Sequence, residues 1–276
     1  MTRLIVRHQT IYTYVPPGGR AAMRLRLFPT SYATQEIGTW QVTVNETAIE
    51  PSYRNACAIP EALWAHDGPT NEVSIIATGV INREEDAGVI KGLKERMPRG
   101  VFLRRTPLTT ADSAVEALAD DIKGDTVLET LHALSAAVRE AVAYTSKSTS
   151  MATSAAEALA QGTGVCQDHA HVFIAAARHL GIPSRYIAGY YYAGQDEDLS
   201  ETHGWAESFV PDLGWVGFDI SNETCPTAAH IRLVCGLDAD DAAPIKGLIN
   251  GQSNETLKAS VAITSSSSQS QQQQQQ

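Results

Sequence analysis

The stretch Gly162-Thr163-Gly164-Val165-Cys166-Gln167-Asp168-His169-Ala170-His171, followed at once by Val172, Phe173, Ala176 and Leu180, decides the reading of this chain. A glycine turn opens onto an amphipathic apolar run at a cysteine. A helix N-terminus carries unpaired N–H groups and about half a positive charge, which favours a thiolate over a thiol. The pattern predicts a helix that starts at Cys166 and is ended by Gly181 and Pro183. A lone cysteine at such a place is most often a small buried hydrophobe. Gly162 and Gly164 argue for more, because glycines let a substrate approach the backbone closely.

Two stretches downstream add the missing chemistry. Thr202-His203-Gly204-Trp205-Ala206-Glu207 supplies a base, and Gly214-Trp215-Val216-Gly217-Phe218-Asp219 a carboxylate. Both read as short strands, rich in aromatic and β-branched residues, joined by the turn Pro211-Asp212-Leu213-Gly214. A hairpin there puts position 203 opposite position 219 or a little beyond it. Cys166, His203 and Asp219 are then a nucleophile, its base and the base's orienter. The Cys166 backbone N–H is a natural oxyanion donor, with Gln161 and Trp205 as candidates for a second. His169 and His171, two apart on a helix, point in different directions and read as packing residues rather than ligands of one metal. Asp196, Glu197, Asp198 and Glu201 read as a solvated acidic loop. Their alternative use is to favour the charged form of His203 or to attract an amine.

Around these motifs the chain divides by composition. Residues 1–82 are β-rich, with strand patterns at Leu4–Tyr14, Met23–Leu27, Trp40–Asn45 and Glu72–Ile81, and suggest a small sandwich or barrel-like domain. Residues 83–110 hold seven Arg and Lys residues together with Pro98 and Pro107, and read as a connector over the surface. Residues 111–264 combine helices with later strands, an α+β pattern with an antiparallel sheet. Within them, apolar spacing predicts a helix over Thr126–Ala143, and Ser154 with Glu157 forms a capping box. Residues 265–276, serine then glutamine repeats, lack the apolar surface needed to fold and are expected to be disordered.

The whole-chain numbers narrow the partners. Of 276 residues, 43% are hydrophobic and 19% charged, an ordinary globular balance. A net charge of −10 argues against nucleic acid and anionic membrane as partners. The N-terminus shows no export signal and no stretch is apolar enough to span a bilayer. A cytoplasmic chain with reduced thiols is expected, and Cys57, Cys166, Cys225 and Cys235 lack the spacing of a zinc site.

The chain resembles the transglutaminase-like superfamily of papain-fold enzymes, in particular its bacterial transglutaminase-like members. The resemblance rests on the stretches around Cys166, His203 and Asp219, on Leu180-Gly181-Ile182-Pro183-Ser184-Arg185-Tyr186, and on residues His230 to Pro244; the β-rich N-terminal region is similar to the small domain preceding the catalytic one. It implies a papain-like core in which a helix bearing the cysteine packs on an antiparallel sheet. It also implies acyl transfer on a peptide or carboxamide through a thioester, with Cys166 as nucleophile, His203 as base and Asp219 as orienter. Peptide or protein substrates, with water or an amine as acceptor, and no cofactor or metal are expected. The alternative is a catalytically silent module that keeps the fold to bind peptide or protein. Two departures from the family pattern are Gly204, where alanine is more usual, and Ile220-Ser221-Asn222, where a proline-containing turn is commoner.

Overall fold

The computed structural model describes residues 1–194, 202–251 and 253–265. In chain order the first half runs β1 (Thr2–Gly18), β2 (Ala21–Leu25), β3 (Gln35–Val44), β4 (Thr47–Ile49), β5 (Tyr53–Arg54), β6 (Pro60–His66), β7 (Thr70–Arg83), β8 (Val89–Ile90), α1 (Ser113–Asp120) and α2 (Val127–Ala141). It continues β9 (Ala143–Tyr144), α3 (Ala155–Gln161), β10 (Thr163–Gly164), α4 (Cys166–His179), β11 (Ser184–Tyr191), β12 (Thr202–Val210), β13 (Gly214–Phe218), β14 (His230–Gly236), β15 (Ile245–Ile249) and β16 (Asn254–Ser265). The class is α+β.

The β-rich unit contains a five-stranded sheet ordered β16-β1-β7-β3-β4 and a four-stranded sheet ordered β15-β2-β6-β5. Alternation along β1 buries Leu4, Val6, His8 and Thr10. Such period-two burial is what a sheet with one packed face demands. The domain boundaries differ from the sequence reading at the C-terminus. Strands β15 and β16 lie beyond the helical region but return to the first unit, pairing with β2 and β1. The β-rich unit is thus built from both ends of the chain, and residues 245–264 belong to it rather than to the α+β unit. Ser265 ends β16; residues 266–276, expected to be disordered, lie outside the described residues.

The second unit centres on an antiparallel sheet ordered β14-β11-β12-β13-β8. Helix α4 packs on β11 and β12, and α1, α2 and α3 pack around it, so its residues from Gln167 to Arg178 are buried. Each helix start has a local cause. Asp112 caps α1, and Thr126 with Glu129 and Ser154 with Glu157 form capping boxes on α2 and α3. Helix α2 stops at Ala141 rather than Ala143, because Ala143 and Tyr144 leave it to pair in parallel with Thr163 and Gly164.

The expected surface connector, 83–110, is built into the fold. Its β8 forms the edge of the second sheet, Arg83, Ile90, Phe102 and Thr109 are buried, and Glu95 pairs with the buried Arg185. Charge misled the reading at Arg83, Asp86 and Glu95, which are paired inside, while Lys91, Lys94, Arg96, Arg99, Arg104 and Arg105 are exposed as expected. Arg185, Glu207 and Arg232 sit on three neighbouring strands, with Glu207 accepting from both guanidinium groups at 2.7 Å. Hydrogen bonds tie the two units together. Arg83 Nε donates to His230 O at 2.8 Å, Gln35 exchanges bonds with the main chain of Arg232, and His8 Nδ1 meets the Tyr190 hydroxyl at 3.0 Å.

Candidate active site

Cys166 is the first residue of α4, as the glycine turn predicts. Its N–H and that of Gln167 stand in the first turn, where a helix offers no acceptor. Gly164 serves a different purpose from the one expected. A Cβ there would come 2.7 Å from Asp168 Cβ, and the buried Asp168 carboxylate accepts from Val165 N at 2.8 Å and Thr149 Oγ1 at 2.5 Å. The glycine makes room for the helix cap rather than for a substrate, and the cap sets the cysteine at the helix tip.

His203 lies near the start of β12. The hairpin register pairs Ala206 with Phe218 and ends there. Asp219 then bridges Thr224, and its Oδ1 accepts from Asn222 N at 3.3 Å. The departure at Ile220-Ser221-Asn222 thus closes on the Asp219 carboxylate itself, with no proline needed. This turn aims Asp219 Oδ2 at His203 Nε2, 2.7 Å away. Cys166 and His203 line the same cleft, and the nearness of the sulfur favours the charged ring. The three residues named from sequence are therefore gathered at one point.

The electrostatics follow from this contact set. Burial by itself would push His203 down, but the hydrogen bond to Asp219 and the charges of Asp219 and Cys166 outweigh it and raise its pKa to about 10. Burial would raise Asp219, yet the hydrogen bonds from His203 and His230 hold it well below the usual carboxylate range. The cleft above is a cavity of about 330 Å³ walled by Tyr144, Tyr191 and Arg139, with Cys166, His203 and Asn222 in its lining. A neighbouring cavity of about 520 Å³ shares Arg139.

Of the second-donor candidates, neither Gln161 nor Trp205 lines the cleft; Trp205 is buried beside His203 and His230. His169 bonds Ser221 Oγ and Val142 O, both at 2.7 Å, and His171 Nε2 accepts from Ala239 N. The acidic loop at 196–201 lies outside the described residues. Sequence reasoning missed two residues that touch Asp219, namely His230 (Nε2 at 2.9 Å) and Asn222 (Nδ2 at 2.7 Å). Asn222 carried a signal, three positions after an aspartate at a strand end; His230 carried none beyond its place in the resemblance. His203, Asp219 and His230 present three ligand-type atoms within 4.8 Å. Two of the separations are hydrogen-bond lengths, whereas ligands on one tetrahedral zinc stand about 3.3 Å apart.

An α+β fold with a cysteine at the tip of its central helix, and a histidine on the facing strand, defines a class of cysteine enzymes. The comparisons agree with it. The transglutaminase-like superfamily matches residues 116–220, and the bacterial transglutaminase-like N-terminal region matches 4–82. Residues 116–220 thus carry a core similar to the transglutaminase-like superfamily, and residues 4–82 a region similar to the N-terminal part of its bacterial members. The chain is 28% identical over 283 residues to the uncharacterized protein ML0607 of Mycobacterium leprae, covering 96% of this chain and 99% of that one. It is 30% identical over 148 residues to the uncharacterized protein Rv2569c of Mycobacterium tuberculosis, covering 50% of this chain and 47% of that one. Its fold is shared with the crystal structure of a "Putative Cysteine Protease" from Cytophaga hutchinsonii, at a TM-score of 0.77 and 20% identity over 96% of this chain and 91% of that one.

Proposed function

We propose that this chain is a cysteine-dependent acyl-transfer enzyme acting on peptide or carboxamide bonds, with Cys166 as nucleophile, His203 as base and Asp219 as its orienter. One observation carries the reading: His203 meets the Asp219 carboxylate at 2.7 Å and shares the lining of one cleft with Cys166. Sγ, as thiolate, attacks the carbonyl carbon, and the developing oxyanion meets the first N–H groups of α4. The carbon–nitrogen bond breaks as imidazolium returns its proton to the leaving amine, leaving a thioester. His203 then takes a proton from water or from an acceptor amine, whose attack on the thioester releases acid or new amide and frees Sγ. Asp219 keeps the ring in the right tautomer throughout and stabilises its charge. Water is the favoured acceptor, and peptide or protein the favoured substrate. The four free thiols suit a reducing compartment such as the cytoplasm.

The test is a library of peptides and amines offered to the wild type and to Cys166→Ala, with products and intact protein mass followed. Turnover confined to the wild type, with a transient acyl adduct on Cys166, is expected. Peptide binding with neither adduct nor product would make the chain a binding module instead.

A further inference from the structure

Asp219 receives more donors than a three-residue arrangement requires. Its Oδ2 takes His203 Nε2 at 2.7 Å, Asn222 Nδ2 at 2.7 Å and His230 Nε2 at 2.9 Å. His230 opens β14, is buried, and lines neither cavity beside Cys166. It does not reach the space a substrate would fill.

Its protonation is dictated by the main chain. Thr227 N donates to His230 Nδ1 at 3.0 Å. A backbone N–H can only donate, so Nδ1 holds a lone pair and the ring's single proton sits on Nε2, facing Asp219. Burial acts in the same direction, pushing His230 below the ordinary histidine range, with the Asp219 hydrogen bond only partly offsetting it. The ring is wedged 4.7 Å from Tyr191 and edge-on to Trp205 at 5.5 Å. Behind it, the buried guanidinium of Arg83 bonds His230 O, Thr227 O and Thr34 O. The β-rich unit thus clamps the turn that orients His230.

We propose that His230 is a positioning residue that acts through Asp219: as a neutral, permanent N–H donor on Oδ2, it holds the carboxylate against His203 and limits how tightly His203 keeps its proton. This rests on the Cys166–His203–Asp219 reading above. A donor on a carboxylate oxygen stabilises its ionised form and draws off charge that the oxygen would otherwise offer its other partners. With Oδ2 shared between His203 and Asn222 only, the imidazolium would be held more firmly and would hand its proton to a leaving amine less readily. The charged and titratable groups facing His230 are Asp219, His203 and Arg83. Asp219 also faces His169 of α4, and His203 faces Cys166 and the Tyr191 ring. None of these replaces the N–H that His230 gives.

The test reads Cys166 alkylation by iodoacetamide against pH in the full chain, for the wild type, His230→Phe, His230→Gln and His203→Ala. Loss of the His203 proton appears as an upper step in the profile. In His230→Phe, which removes the donor and keeps the ring, the step should rise by about one pH unit. In His230→Gln, whose amide N–H replaces the donor, it should return to the wild-type position. A step that stays put in His230→Phe, or moves equally in both variants, overturns the proposal. His203→Ala separates the two levels of failure. There the profile should reduce to the single ionisation of the Cys166 thiol; a two-step profile that survives removes the triad reading together with this one, and an upper step lost there but unmoved in His230→Phe removes only the role of His230. Should the phenylalanine variant not fold, imidazole nitrogen NMR on the wild type decides. His230 should remain a neutral Nε2–H ring across the range in which His203 titrates, and a charged or Nδ1–H ring overturns the proposal.

Discussion

Gly204 lies directly under the hydroxyl of Tyr186: a β-carbon at position 204 would overlap the phenolic oxygen. Tyr186 is buried on β11 beside the α4 histidine His171, and residues 186 and 206 are paired in the sheet. The departure from the more usual alanine after His203 is therefore a packing requirement. Gly204→Ala should cost about 1–3 kcal/mol as overpacking, read as a lowered Tm. Tyr186→Phe in the same chain should return only part of that loss, because the ring carbon that bore the hydroxyl still stands 2.6 Å from the added β-carbon. Equal melting of Gly204→Ala and wild type would contradict the overlap.

Iodoacetamide should modify Cys166 first among the four cysteines near pH 6–7. The hydrogen bond from Cys57, with Arg185 and Arg232, holds Cys235 toward the thiolate, but Cys57 and Cys235 are both buried, and reaction needs access as well as charge. Burial and Asp86 push the Cys225 thiol up. Peptide mapping of the adducts checks the order, and modification of Cys235 ahead of Cys166 would reverse it.

The pH dependence has a definite sign. His203 is raised to about 10, so its contribution to stability is complete below about pH 6.5 and is lost as pH climbs toward the folded value. Asp219 is depressed, so its contribution is complete above about pH 4 and is lost on further acidification. The stability gap between wild type and His203→Ala should therefore narrow between pH 6.5 and 10, as denaturant titration would measure. Asp219→Asn removes the charge that raises His203, so the basic limb of the pH–rate profile should move down. A limb that stays in place would uncouple the pair.

Glu207 joins Arg185 and Arg232 inside the protein, all three buried. Glu207→Ala leaves two buried cations short of a partner and should destabilise the chain by about 3–5 kcal/mol. Chemical denaturation would measure this, and a change below about 1 kcal/mol, the value typical of an exposed pair, would refute it.

Truncation should distinguish the two ends of the C-terminal region. Removing residues 266–276 should leave Tm unchanged, because serine and glutamine repeats add no core. Removing residues 254–276 takes away β16, which covers one edge of β1 and buries Val261 and Ile263, and should lower Tm by several degrees. Equal effects of the two truncations would remove β16 from the stable fold.

Local rules were enough for much of this protein. The starts of α2, α3 and α4, and the strands on either side of the 211–214 turn that bring His203 toward Asp219, follow from caps, periodicity and turn residues close together in the chain, whereas Cys166 meets them only because α4 packs on β11 and β12. What only the tertiary structure decided are the partners that meet from far along the chain. Arg83 grips His230 across 147 positions, β16 closes on β1, and Glu95 reaches Arg185 out of a segment whose charges read as surface. A sequence window reports the sign of a charge and the period of an apolar run. Whether a charge is solvated or paired depends on which distant backbone folds over it, and that is a property of the assembled core.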